Sequence, residues 1–152
     1  MRPLNRRSFV ILTTAIFAAG LTRPLAAGTS RVSTDRTGRA IQGYDTLAYW
    51  TVNAAQDGSD DHTVTWNGAV WRFAKQDDAD QFASAPESFA PQFGGFCARA
   101  MSLGKVVDGD PEVWRIFEGR LYLFARPAGG KVFDKGEAEI IVKAEQFWQT
   151  LY

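Results

Sequence analysis

His62-Thr63-Val64-Thr65-Trp66, then Asn67-Gly68, then Ala69-Val70-Trp71-Arg72-Phe73: this run decides the fold class. Asn-Gly between two alternating segments is a hairpin signal, because a two-residue turn of the type that matches strand twist needs positive φ at both positions. Alternation puts Val64 and Trp66 on one face, and Trp71 and Phe73 on one face of the return strand. The pattern comes back as Val113-Trp114-Arg115-Ile116-Phe117, a Glu118-Gly119 turn, and Arg120-Leu121-Tyr122-Leu123-Phe124. Four strands in two hairpins predict an antiparallel sheet, with the polar stretch 53–61 as a loop before it.

Helices fill the intervals. Asp77 or Asp78 is placed to cap a short helix through Ala79, Phe82 and Ala83, stopped by Pro86. A second short segment is expected from Phe93 to Met101, ended by Gly104. Ile140, Ala144, Phe147, Trp148 and Leu151 recur at helical spacing, so the clearest helix spans roughly 135–151 and should close the core. The fold class is therefore α+β: a small antiparallel sheet of two hairpins packed with short helices and a C-terminal amphipathic helix. No internal repeat is legible at this level.

The N-terminal end reads differently. Arg2, Arg6 and Arg7 precede an apolar stretch from Phe9 to Leu21, and no acidic residue occurs before Asp35. That stretch falls short of the ~20 apolar residues a membrane-spanning helix needs. With Asn5-Arg6-Arg7-Ser8-Phe9-Val10 ahead of it and Pro24-Leu25-Ala26-Ala27 behind, it has the form of a twin-arginine export signal. The expected organisation is a signal over 1–27, a flexible lead-in over 28–39 and one domain over 40–152. The mature chain is expected to be soluble, without a membrane anchor, and to work in the periplasm or as a secreted protein.

The signal carries four of the 17 Lys and Arg residues and none of the 17 Asp and Glu, leaving 13 basic against 17 acidic residues, a net charge of −4. No basic block remains, so nucleic-acid binding lacks electrostatic support. The single Cys, Cys97, rules out an internal disulfide.

Cys97 carries most of the candidate chemistry. Gly94-Gly95 before it allow a helix to start there, and a thiol in a first helical turn is biased toward thiolate. Arg99 is near enough in sequence to add positive charge, and Met101 at i+4 shares its face if the segment is helical. A thiolate with a thioether is a soft pair suited to Cu(I). Free Cys is also among the most buried residue types, so Cys97, Phe96 and Met101 read equally as core. His62, the only histidine, follows Asp60-Asp61 and is a candidate helper ligand. Tyr44 and Asp45 stand amid apolar neighbours and are candidates for a pocket or for groups supporting the Cys97 site. No Gly-x-Ser-x-Gly elbow, phosphate loop or complete calcium loop is present, and a catalytic function is not indicated.

Ile41-Gln42-Gly43-Tyr44-Asp45, Ala48-Tyr49-Trp50, Trp71-Arg72-Phe73 and Pro86-Glu87-Ser88-Phe89-Ala90-Pro91-Gln92-Phe93-Gly94-Gly95-Phe96-Cys97-Ala98 together resemble the exported branch of YHS-domain proteins. Asp110-Pro111, Trp114, Gly119-Arg120-Leu121-Tyr122-Leu123 and Trp148 continue the likeness over nearly the whole mature chain. The resemblance implies a small α+β domain, often with a signal peptide. The wider group is similar to metal-binding modules whose cysteines lie at the end of the strand matching Trp71-Arg72-Phe73; here Ala74-Lys75-Gln76 follows instead. The reading that results is an exported accessory protein binding a metal, copper in first place, through Cys97, with Met101 and His62 as helpers. Its partner is then a metal ion or another periplasmic protein. The alternatives are a non-catalytic binding module with an aromatic groove for a peptide, lipid or partner protein, and a thiol redox protein using Cys97.

Overall fold

The computed structural model describes residues 31–152. The expected export signal over 1–27 and the start of the lead-in lie outside them. Both hairpins form: β1 (Ser59–Trp66) pairs antiparallel with β2 (Ala69–Phe73), and β3 (Asp110–Phe117) with β4 (Arg120–Phe124). The turn residues carry the positive φ the sequence demands, 51° and 78° at Asn67 and Gly68 and 50° and 71° at Glu118 and Gly119. The hairpins do not join into one sheet as expected; they are two separate two-stranded sheets. Among the described residues six α-helices surround them: α1 (Ala48–Thr51), α2 (Gln76–Ser84), α3 (Pro86–Phe89), α4 (Ala98–Met101), α5 (Pro127–Phe133) and α6 (Glu137–Leu151). The α+β class holds.

The absence of a repeat in the sequence is corrected by the backbone. In β1–β2, Ser59 pairs with Phe73 and Thr63 with Arg72, with a bulge between; in β3–β4, Asp110 pairs with Phe124 and Trp114 with Leu123, with a bulge at the same place. Each hairpin is preceded by a left-handed turn, Ile41-Gln42-Gly43 (φ 42°, 58°, 85°) and Phe93-Gly94-Gly95 (φ 56°, 62°, 87°). The next stretch bridges back to the approach to the hairpin, Tyr44 to Asp57 in one unit and Phe96 to Asp108 in the other. Gly58 N–H donates to Gly43 O at 2.9 Å, and Gly109 N–H to Gly95 O at 3.0 Å. The chain is thus two copies of one turn–helix–hairpin–helix unit.

Two apolar clusters form, the first centred on the first unit but also taking in Leu121 and Leu123 of β4. Trp71 and Phe73 of β2 are fully buried with Phe82 of α2, ring centroids 5.0 and 5.1 Å from it, and Val64 and Trp66 of β1 pack against this cluster from the side. In the second unit Tyr122 and Phe124 of β4 meet Phe133 of α5, and Ile140 and Ala144 of α6 close that cluster over Met101 of α4. The C-terminal helix therefore closes one of two clusters. Tyr49 ties the units together, stacking 5.2 Å from Trp114 and donating from its hydroxyl to Pro111 O at 2.9 Å.

Three local expectations are corrected. α2 begins after Lys75, with Asp77 and Asp78 inside its first turn, where they face the positive end of the helix instead of capping it. Phe93–Met101 is not one helix: the left-handed turn at Phe93–Gly95 and extended backbone at Phe96 and Cys97 interrupt it, so α4 begins only at Ala98. The stretch expected to be a flexible lead-in is built into the domain from residue 31 on. Val32 and Ser33 are buried; Ser33 N–H donates to Gly94 O at 2.9 Å, and Ile41 N–H donates to Ser33 O at 2.9 Å. Residues 32–33 thus strap the turns of the two units together.

Candidate functional site

Cys97 occupies the position before α4. Its N–H donates to Val107 O at 2.8 Å, its C=O accepts from Met101 N–H at 2.9 Å, and its Sγ accepts from Ala100 N–H at 3.4 Å. The thiol caps a helix of four residues and is 4 % exposed. Met101 and Phe96 share its apolar cluster, so the structure brings together three of the six residues singled out from the sequence. Arg99 does not fold back onto the thiol; its guanidinium donates to Ser102 Oγ at 3.3 Å.

The other three lie in the first unit. His62, on β1, is partly exposed, and its Nδ1 is 3.2 Å from Gln76 Oε1. Of the two acids before it, Asp60 is engaged elsewhere, pairing with Arg39 at 3.1 Å and Arg72 at 3.0 Å. Tyr44 donates its hydroxyl to Glu112 Oε1 at 3.0 Å, and this hydrogen bond, with burial, holds the phenol above its ordinary pKa. Asp45 is fully buried and accepts from Leu47 N–H at 2.8 Å and Ala74 N–H at 2.9 Å. Burial raises its pKa, and those two donors partly offset the shift. Asp45 and Cys97 are the same position in the two units, each following the left-handed turn and bonding to the helix start. Among the described residues no three His, Cys, Asp or Glu side chains gather where they would hold an ion.

A second location was not read from the sequence. An open cleft of about 290 Å³ lies where the units meet, between the tip of the first hairpin and α6. Trp66, Phe93 and Trp148 supply its aromatic surface, with Ala90, Pro91 and Val32, while Arg31, Asn67, Glu87 and Gln92 supply polar groups. Phe93 and Trp148 meet edge to face at 6.0 Å, and Trp148 is backed by Phe96 at 6.3 Å and Tyr152 at 4.6 Å. The Arg31 guanidinium rests 4.8 Å from the Tyr152 ring centroid at the rim. Among the described residues, neither the Glu87 carboxylate nor the indole N–H of Trp66 or Trp148 has a hydrogen-bond partner.

The cleft exists because the strap, the hairpin tip, the Pro91–Gly94 turn and α6 converge. The turn is held by Ser33 and by two successive left-handed residues, so its backbone is fixed independently of any ligand. Trp66 and Trp148 come from opposite ends of the domain. An aromatic at a strand end and another on an amphipathic helix give no sign in sequence that they line one cleft. No protein-family model, curated protein or solved structure matches this chain.

Proposed function

We propose that the protein is a non-catalytic binding module, exported through the twin-arginine pathway and of the YHS type, whose ligand sits in the cleft between Trp66, Phe93 and Trp148. One observation carries this reading: a concave site lined by three aromatic side chains together with polar groups, of which the Glu87 carboxylate has no protein hydrogen-bond partner among the described residues. The burial of Cys97 at 4 % supports it from the other side, because thiol redox chemistry needs an accessible thiolate. The export reading rests on Arg6-Arg7 and the apolar run after them, and the YHS reading on the Pro91–Ala98 stretch. No helix among the described residues is long and apolar enough to cross a membrane.

The test is a fragment screen on the full chain, read by ¹⁵N–¹H NMR. Shifts concentrated on the indole N–H groups of Trp66 and Trp148 and the amides of Phe93 and Gly94 are the expected result. A diverse library with no such hits would overturn the reading. Arg6→Lys with Arg7→Lys should leave the chain in the cytoplasm; export of the double variant would remove the twin-arginine part.

Copper binding is a second reading, favoured by Cys97 and Met101 lying one helical turn apart in the same buried cluster. A thiolate and thioether there would offer Cu(I) two soft donors in a dry site. Anaerobic Cu(I) titration of the wild type beside Cys97→Ser, against a competing chelator, separates the readings. Stoichiometric uptake lost in the variant supports copper, and failure to compete removes it.

A further inference from the structure

The cleft lining constrains ligand chemistry more narrowly than its existence does. Arg31 and Glu87, one of each sign, both line the cleft, as do the amides of Asn67 and Gln92. An organic cation would gain Glu87 and the aromatic faces but meet Arg31; an anion would gain Arg31 but meet Glu87. A purely apolar ligand would strip water from the carboxylate and both amides without replacing its hydrogen bonds. Each such loss weakens binding. A zwitterion balances the charges but leaves the amides unserved.

A ligand of dense hydroxyls has none of these penalties. A hydroxyl both donates and accepts, so it can donate to Glu87, accept from Arg31, and do either with an amide. One face of a pyranose ring is a set of C–H bonds, slightly positive at hydrogen, which suits the electron-rich face of an indole. The volume of about 290 Å³ lies at the lower edge of the ~300–1,000 Å³ range of small-molecule sites, room for one or two sugar rings. From this lining we infer that the cleft takes a neutral saccharide, with Trp66 and Trp148 as stacking surfaces and Glu87, Asn67 and Gln92 as hydroxyl partners. The inference rests on the binding-module reading and names its ligand class.

The experiment titrates the full chain with cellobiose, maltose and N,N′-diacetylchitobiose, and in parallel with free amino acids, a tripeptide and choline, reading the same indole and amide signals. At least one saccharide should bind at the cleft, with an affinity unchanged between low and high salt because no net charge is neutralised. Trp148→Ala should weaken that binding roughly tenfold or more, a loss of about 1.4 kcal/mol. Glu87→Gln keeps the fold, since Glu87 is exposed, and should weaken binding several-fold with an unchanged melting curve; it stands in for Trp148→Ala if that variant unfolds. Amino acids, peptide or choline binding at the cleft while all three saccharides fail would overturn the inference and leave the binding-module reading intact. Saccharide shifts located away from the cleft, or insensitive to both substitutions, would also overturn it. Silence at the cleft from every probe and from the fragment library would overturn both.

Discussion

Gly94→Ala tests whether residues 32–33 strap the two units together. Gly94 sits at φ 62°, and a Cβ built there would lie 1.8 Å from Arg31 O, 2.8 Å from Arg31 C and 3.0 Å from Val32 Cα. All three atoms are backbone, so no rotamer change relieves the clash and the strap has to move. Left-handed backbone costs a non-glycine residue about 1–2 kcal/mol. Displacing the strap loses the Ser33 N–H to Gly94 O bond, 2.9 Å long, and a bond of this kind contributes about 0.5–1.5 kcal/mol. It also exposes Val32, now 1 % exposed, whose burial contributes about 1.5–3 kcal/mol. Together these give a loss of about 3–6 kcal/mol, a large part of the ~5–15 kcal/mol typical of a domain. Gly119→Ala is the control, because at φ 71° a Cβ there meets nothing within 4 Å and only the backbone cost remains. Urea unfolding followed by tryptophan fluorescence measures both, and amide exchange at Ser33 and Ile41 reports the strap directly. If Gly94→Ala costs no more than Gly119→Ala and exchange at Ser33 and Ile41 stays slow, the strap argument is wrong.

Three further outcomes are expected. Cys97, being buried, should react with a maleimide at least about a hundredfold more slowly in the native protein than in denaturant, since modification then waits on an opening of about 2.7 kcal/mol or more; rates within tenfold of each other would place the thiol at the surface. Phe82→Ala removes the ring that touches Trp66, Trp71 and Phe73 and should cost about 3–5 kcal/mol in urea unfolding, whereas a cost under about 1 kcal/mol would deny it a central place in the first cluster. Asp45 has a folded-state pKa raised chiefly by burial, so the folded protein binds its proton more tightly than the unfolded chain does. Its contribution is therefore fully present below the ordinary aspartate value of about 3.9 and is lost as pH rises through the raised value. The stability gap between wild type and Asp45→Asn should shrink over that window, and a gap that widens with pH would contradict the assignment.

Short-range chemistry made the hairpins legible. Asn67-Gly68 and Glu118-Gly119 between alternating apolar segments carry their turn geometry in the residues themselves, and a backbone that must take positive φ advertises it. The C-terminal helix was legible for a similar reason, its apolar stripe recurring at helical period; the structure starts it at Glu137. The break between Phe93 and Cys97 was harder. Gly94-Gly95 permits either a helix start or a left-handed turn, and the choice is made by Ser33 and Val107, which supply hydrogen-bond partners from distant parts of the chain.

The duplicated unit was hidden because its two copies keep backbone demands and not side chains. Gly43-Tyr44-Asp45 answers to Gly95-Phe96-Cys97, and Phe73-Ala74 to Phe124-Ala125, while most positions between differ. Sequence alone determined the α+β class, the hairpins with their turns, the C-terminal helix and a single cysteine with no disulfide partner, since each depends on residues near one another in the chain. Tertiary structure alone decided that Cys97 and Asp45 are equivalent buried positions at helix starts, that residues 32–33 bind the units together, and that Trp66 and Trp148 line one cleft. Those facts depend on packing between segments far apart in the chain, and local propensity carries no record of which distant surfaces will meet.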